Sequence, residues 1–237
     1  MHFKLYEEYP NIRYGITEQR DGSMFRTNDI GLENVNKNNR VLYFKRIGLN
    51  INNLVQAKLV HGNNILRVGR QDGGKIPEVA DGLITNDREV ILGVTAADCF
   101  PIYIYDPVNN AVGVAHAGWR GVAKNIVGRV VEAMKKEYSG QAKDLRVGIG
   151  PGIRACHFSV LTDTDLEIPA YSKSSRDGTT YVDLPLIIKH QLEDAGIENT
   201  HIDDGGECTF CLKDKYFSHR RDQVSPLETM LAYICIE

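Results

Sequence analysis

The sequence predicts an α/β fold in the wider α+β sense, with layered mixed β-sheets flanked by helices in a single domain over residues 1–237. Three observations predict it. Short β-branched apolar segments alternate with separated helical segments. The chain has 237 residues, 42% of them hydrophobic, enough for a sizeable core. No linker, internal repeat, low-complexity tract or coiled-coil heptad divides it.

Taken in order, the first helix is expected near 36–48, ahead of Gly48. The segment GRQDGGKIPEVADG (69–82) reads as a turn-rich loop between two strands. Residues 90–96 (VILGVTA), 101–106 (PIYIYD), 111–117 (AVGVAHA) and 145–151 (LRVGIGP) are β-branched and apolar, and read as strands. Residues 122–138 read as one helix, with Ile126, Val127, Val130, Val131 and Met134 on one face. SKSSRDGTT (172–180) reads as an exposed loop. A last helix is expected over 184–195, with Pro185 in its first turn and Gly196 just past its end.

Composition excludes several classes. The net charge of −3 gives no field suited to nucleic acid or an anionic membrane. The longest apolar runs are far too short to span a bilayer. The start, MHFKLYEEYPNIRYG, has no apolar signal region, so the expected location is cytoplasmic. Five cysteines, an odd number in a chain this long, read as reduced thiols free to act as ligands or nucleophiles.

The central candidate site comes from register. Strands 101–106 and 111–117 flank Pro107-Val108-Asn109-Asn110, a four-residue turn that predicts a hairpin. With Asp106 opposite Ala111, paired positions sum to about 217. Cys99 then lies opposite Gly118, diagonal to His116 and on its face. His61 sits in LVHGNNILRV, followed by Gly62, at a strand end or bend. Nothing in the sequence alone forces it to meet the hairpin. Single histidines and cysteines in apolar strands usually serve the core, and the H…C…H spacing is weak by itself. As a set, two imidazoles and one thiolate suit zinc and leave a fourth position open. Asp98 is placed to orient a ligand histidine.

At TAADCFPI and VAHAGWRG the chain resembles the laccase-domain family, also called the multicopper polyphenol oxidase family. The family's members are generally regarded as purine nucleoside phosphorylases with some adenosine deaminase activity. TEQRDGS (17–23), VHG (60–62), ADG (80–82), ADCFP (97–101), HAGWRG (116–121), IGPGI (149–153), CTFC (208–211) and YFSHRRD (216–222) follow in the family's order. The resemblance implies a zinc held by His61, Cys99 and His116, and a fold similar to the catalytic domain of cytotoxic necrotizing factor toxins. Departures occur at Leu59, Asp21-Gly22, Phe158-Ser159 and SPLETML. They bear on substrate preference and rate and leave the metal set intact.

On that footing the expected reaction is phosphorolysis of adenosine, inosine or methylthioadenosine, with deamination of adenosine as a side activity. Arg20 and Arg120 are the candidates for phosphate, because the guanidinium fork suits it. Trp119 is read as core or as a purine-stacking ring, His157 as structural. Cys208 and Cys211 form a CxxC without an evident second pair of ligands, and read as structural. The expected partners are a purine nucleoside and phosphate, with no nucleic acid or membrane, in a monomer or small homo-oligomer. Competing readings are a metal-free Cys99–His116 hydrolase acting on cell-wall precursors, a copper-dependent polyphenol oxidase, and a non-enzymatic cell-wall or cell-division module.

Overall fold

The computed structural model describes residues 1–75, 79–160 and 168–237. Its first half contains β1 (Ile12–Ile16), α1 (Ile30–Arg46), β2 (Leu54–Gln56), β3 (Ile65–Arg67), β4 (Gly82–Thr85), β5 (Ile91–Ala96), β6 (Phe100–Asp106) and β7 (Ala111–Ala117). There follow α2 (Trp119–Ala123), α3 (Ile126–Tyr138), β8 (Arg146–Ile149), β9 (Ser159–Val160), β10 (Lys173–Arg176) and β11 (Thr179–Val182). The chain closes with α4 (Leu184–Asp194), β12 (Ile202–Asp204), α5 (His219–Asp222) and β13 (Met230–Ile236).

Among the described residues, two mixed sheets stack. One runs β1-β13-β5-β2 and the other β12-β8-β6-β7-β4-β3. The apolar layers follow strand parity. In β7, Val112 and Val114 point between the sheets, whereas Ala111, Ala115 and Ala117 point at the helices. The intersheet layer adds Leu92 and Val94 of β5, Tyr103 and Tyr105 of β6, and Met230 and Ala232 of β13. Outside the six-stranded sheet, Val127, Val130 and Met134 of α3 pack with Ile187 and Leu192 of α4. Tyr43 and Phe44 of α1 cover the other sheet, against Ile91, Leu231 and Tyr233. The order is therefore helix, sheet, sheet, helices. Central strands buried on both faces read as continuous apolar runs, which is why VILGVTA carries no alternation. Each such buried aliphatic side chain contributes about 1.5–3 kcal/mol of transfer free energy.

The predicted hairpin register holds: Asp106 pairs with Ala111 and Phe100 with Ala117. The Asp106 carboxylate fixes the turn by accepting from the N–H groups of Val108 and Asn109, both at 3.0 Å. Three expectations need correction. α1 begins at Ile30, earlier than 36, because Asp29 caps it by accepting from Leu32 N–H at 2.9 Å. The helix read over 122–138 is two helices. Asn125 breaks it with φ 54° and caps α3 at the Gly128 N–H, 3.2 Å away. The exposed 172–180 segment is no loop but the β10–β11 hairpin, turned by Asp177 (φ 51°) and Gly178 (φ 74°). Residues 76–78 of the turn-rich segment lie outside the described residues. No described helix is long and apolar enough to cross a membrane.

Candidate metal centre

One end of the six-stranded sheet gathers the chemistry. The chain enters β3, β4 and β6 there and leaves β7, β8 and β12 there, as the parallel β3–β4 and β8–β12 pairs and the antiparallel β6–β7 and β6–β8 pairs require. His61 precedes β3, Cys99 precedes β6, and His116 is the penultimate residue of β7. Their donor atoms all lie within 4.8 Å of one another. The two imidazoles meet edge to face, with centroids 5.0 Å apart. His116 is buried, Cys99 half-buried and His61 exposed, so the group opens to solvent on the His61 side.

Asp81, fully buried at 0% exposure, builds the His61 arm. Its carboxylate accepts from the N–H groups of Val60 (3.0 Å), His61 (2.7 Å) and Gly62 (2.8 Å). These bonds hold His61 in the left-handed region at φ 59°, a conformation that costs a non-glycine residue of order 1 kcal/mol. The Asp81 carbonyl also accepts from the His116 N–H at 2.7 Å, so one residue sets both histidine backbones. Gly118 makes room for the cluster. A Cβ there would stand 2.8 Å from Cys99 Sγ and 3.3 Å from His61 Cδ2.

His116 Nδ1 lies 2.8 Å from the Thr95 carbonyl oxygen of β5. A carbonyl only accepts, so Nδ1 carries the proton and Nε2 presents its lone pair. That Nε2 is buried and has no hydrogen-bond partner among the described residues. A buried unpaired acceptor costs about 1–3 kcal/mol, and it points into the Cys99–His61 group. Burial, with His61 alongside, lowers the His116 pKa to about 4, so the ring stays neutral near pH 7. Burial, reinforced by the carboxylates of Asp98 and Asp81, pushes the Cys99 thiol up to about 12. A bound divalent cation reverses that preference and favours the thiolate. Two imidazole nitrogens and a sulfur, one of them an orphaned lone pair, fit zinc.

The other expected residues are distributed differently. Asp98 does not reach either histidine. At φ 84°, its carboxylate accepts instead from Thr209 Oγ1 at 2.6 Å and from the Arg220 N–H at 2.7 Å. The orienting partners are the Thr95 carbonyl and Asp81. The ADG element carried a signal for Asp81; a main-chain carbonyl has none. Arg20 is exposed and pairs with Glu18 at 2.9 Å, making no hydrogen bond to the metal group among the described residues. Arg120, in the first turn of α2, is exposed and lies over the Trp119 ring at 4.1 Å. Trp119 is half-buried against the helical core layer. Cys208 and Cys211 do acquire partners, contrary to the sequence spacing, because Cys156 and His157 converge on them.

Comparison with known proteins gives the family and the fold. The family model described as multi-copper polyphenol oxidoreductase laccase matches residues 25–237. A human purine nucleoside phosphorylase is 33% identical over 198 residues, 80% of this chain but 45% of that relative, so the chain spans less than half of its length. The purine nucleoside phosphorylase YlmD of Geobacillus stearothermophilus is 34% identical over 213 residues, covering 83% of this chain and 77% of the relative. The solved structure of YlmD from that organism superposes with a TM-score of 0.86 and 30% identity, over 98% of this chain and 94% of the other. The hypothetical protein YfiH of Bacillus licheniformis also gives 0.86, with 26% identity over 98% and 95%.

Proposed function

Because the chain belongs to the multi-copper polyphenol oxidoreductase laccase family, we propose that it is a zinc-dependent purine nucleoside phosphorylase. The substrates are adenosine, inosine or methylthioadenosine with phosphate, and the products are the free base and a ribose 1-phosphate. The relatives named purine nucleoside phosphorylase support an enzyme of this type. The observation that carries the metal is the buried, unpartnered His116 Nε2 aimed at Cys99 and His61.

When bound, zinc supplies Lewis-acid stabilisation of negative charge developing beside it. His61, Cys99 and His116 hold it. Thr95 fixes the His116 tautomer, and Asp81 fixes the His61 backbone. In phosphorolysis a phosphate oxygen bonds to the ribose C1′ as the C1′–N bond breaks, and the electron pair leaves with the purine. Arg20 and Arg120 are the proposed hydrogen-bond donors to phosphate; both are exposed, Arg20 paired with Glu18 and Arg120 lying over Trp119, and each would exchange that contact for the anion. Trp119, half-buried with Arg120 over its ring, offers an apolar face to the purine. Deamination of adenosine at the same centre is proposed as a secondary activity.

Copper could occupy the same donors. Seven histidines in the whole chain give no dense cluster for multicopper oxidation, so zinc is favoured. A metal-free Cys99–His116 hydrolase is disfavoured. A thiol at about 12 beside an imidazole at about 4 is the reverse of an activated nucleophile and base. The test is the zinc-loaded chain with adenosine and phosphate, followed chromatographically. Adenine with ribose 1-phosphate is expected, and inosine marks the deaminase. Zinc bound with neither product formed overturns the proposal.

A further inference from the structure

We propose that Cys156, His157, Cys208 and Cys211 form a second, structural zinc site, separate from the His61–Cys99–His116 centre. Their four donor atoms all lie within 4.8 Å of one another. Cys156 Sγ is 3.5 Å from Cys208 Sγ and 3.7 Å from Cys211 Sγ, and Cys211 Sγ is 3.4 Å from His157 Nδ1. Zinc–sulfur bonds near 2.3 Å and zinc–nitrogen bonds near 2.0 Å give a regular tetrahedron with edges of about 3.8 Å between sulfurs and about 3.5 Å from sulfur to nitrogen. The observed separations are those of a cage drawn around one ion. All five cysteines of the chain are free thiols.

The donor set is complete. Three thiolates and an imidazole fill four positions, which is the composition of a closed structural site. The topology explains how residues so far apart in sequence meet. β8 and β12 are parallel neighbours, so the chain leaves both at the same end of the sheet. Cys156-His157 follows one strand and Cys208-Thr209-Phe210-Cys211 the other, and a bridge between Gly152 and Cys208 binds the two exits. Phe210, between the two cysteines of its turn, stacks on the His157 ring at 4.0 Å and 15°, which fixes the imidazole plane. Zinc with three thiolates carries a net negative charge. The Arg176 guanidinium stands beside it, donating to the carbonyls of Ala155 at 2.8 Å and Cys156 at 3.2 Å.

The site has a target. Thr209 follows Cys208, and its hydroxyl holds the Asp98 carboxylate immediately before Cys99. The Ile153 N–H donates to the Asp98 carbonyl at 2.8 Å. The second zinc therefore clamps two of the segments that grip the Cys99 turn, the Arg220 N–H being the third hold. Its four ligands are positioning residues for the first centre.

The experiment is metal analysis of the full chain, loaded with zinc under reducing conditions and freed of excess. Two equivalents per chain are expected. His61→Ala is expected to keep one, and a Cys156→Ser/Cys211→Ser double variant to lose one. A single equivalent that survives His61→Ala and vanishes in the double variant would refute the proposed function's zinc while supporting this site. Zinc content unchanged by the double variant overturns the inference, as does a Cys156–Cys208 disulfide that persists under reduction. Should the double variant not fold, cobalt(II) in the His61→Ala chain decides. Intense visible bands of a tetrahedral cobalt thiolate centre are expected, and their absence is refuting. Thermal unfolding of His61→Ala should also drop on chelation, which an empty cluster would not cause.

Discussion

Gly118→Ala isolates the packing of the metal centre from backbone effects. Gly118 has φ −76° and ψ 165°, an extended conformation that any residue adopts, so alanine brings no torsional penalty. The added Cβ stands 2.8 Å from Cys99 Sγ, 3.3 Å from His61 Cδ2 and 3.6 Å from His116 Nε2. The first contact lies well inside van der Waals range, and the sulfur belongs to a short side chain on a turn pinned by the Asp98 carboxylate. Overpacking of this kind costs about 1–3 kcal/mol. In the metal-free protein the Cys99 thiol can rotate away and relieve most of it. With zinc bound the sulfur cannot move, so the cost falls on the complex. Zinc affinity is then expected to drop roughly 5–150-fold, at 1.4 kcal/mol per tenfold, with little change in metal-free stability. Competition against a chromophoric chelator measures the affinity, and urea unfolding in chelator measures the stability. Wild-type zinc affinity in the folded variant would refute the placement of sulfur and imidazoles against Gly118.

Three further outcomes follow from the same geometry. Asp81→Asn removes the charge that three N–H donors share, and is expected to destabilise the chain by about 2–3 kcal/mol; thermal unfolding should show a fall of roughly 4–10 °C, with zinc affinity lowered in parallel. Thr209→Val leaves an Asp98 oxygen unpaired in a buried setting; a loss of about 1–3 kcal/mol is expected in urea unfolding, with zinc still bound but more weakly. In metal-free protein, His116 has its pKa lowered from 6.5 to about 4, so the unfolded chain takes up the proton first; stability should fall as the pH drops from about 6.5 to about 4, by roughly 3 kcal/mol in all, and level off below. Urea midpoints across that range check it, and a His116→Gln chain of unchanged slope would contradict the assignment.

What the sequence discloses depends on whether a local rule governs the residue. Cys99 and His116 are legible because the Asp106 side chain fixes a turn between two apolar strands, and register then does the rest. His61 is not, because its placement depends on a carboxylate 20 residues away and on a backbone angle that no side-chain pattern encodes. The break at Asn125 is hidden because the apolar period of α3 runs on through it. The β10–β11 hairpin carries an Asp-Gly turn signal, but β10 is exposed and polar throughout and β11 is half-buried without a clean apolar–polar alternation, so the pattern that would confirm it is silent. The start of α1 is missed for the same reason, with Ile30, Val35 and Leu42 turned to solvent on a helix that buries few residues. Cys156 and His157 join the CxxC pair only through the parallel pairing of β8 and β12, a long-range choice beyond the reach of spacing.

The two left-handed residues at the candidate metal centre explain how its donors are held together without a metal. His61 (φ 59°) and Asp98 (φ 84°) each turn the chain sharply beside a donor, and each is secured by buried carboxylate bonds to backbone or hydroxyl groups. Those bonds are charge-assisted and contribute about 1.5–3 kcal/mol apiece, enough to hold conformations costing of order 1–3 kcal/mol each. The protein scaffold rather than the ion therefore supplies the bends. Zinc affinity then reflects the donors and the one orphaned imidazole nitrogen, with little ordering of the chain left to oppose it. On this reasoning chelation should leave the fold at His61 and Cys99 in place, and backbone amide exchange at Val60, His61 and Gly62 should stay slow in metal-free protein. Rapid exchange there on removal of zinc would show instead that the metal organises the site.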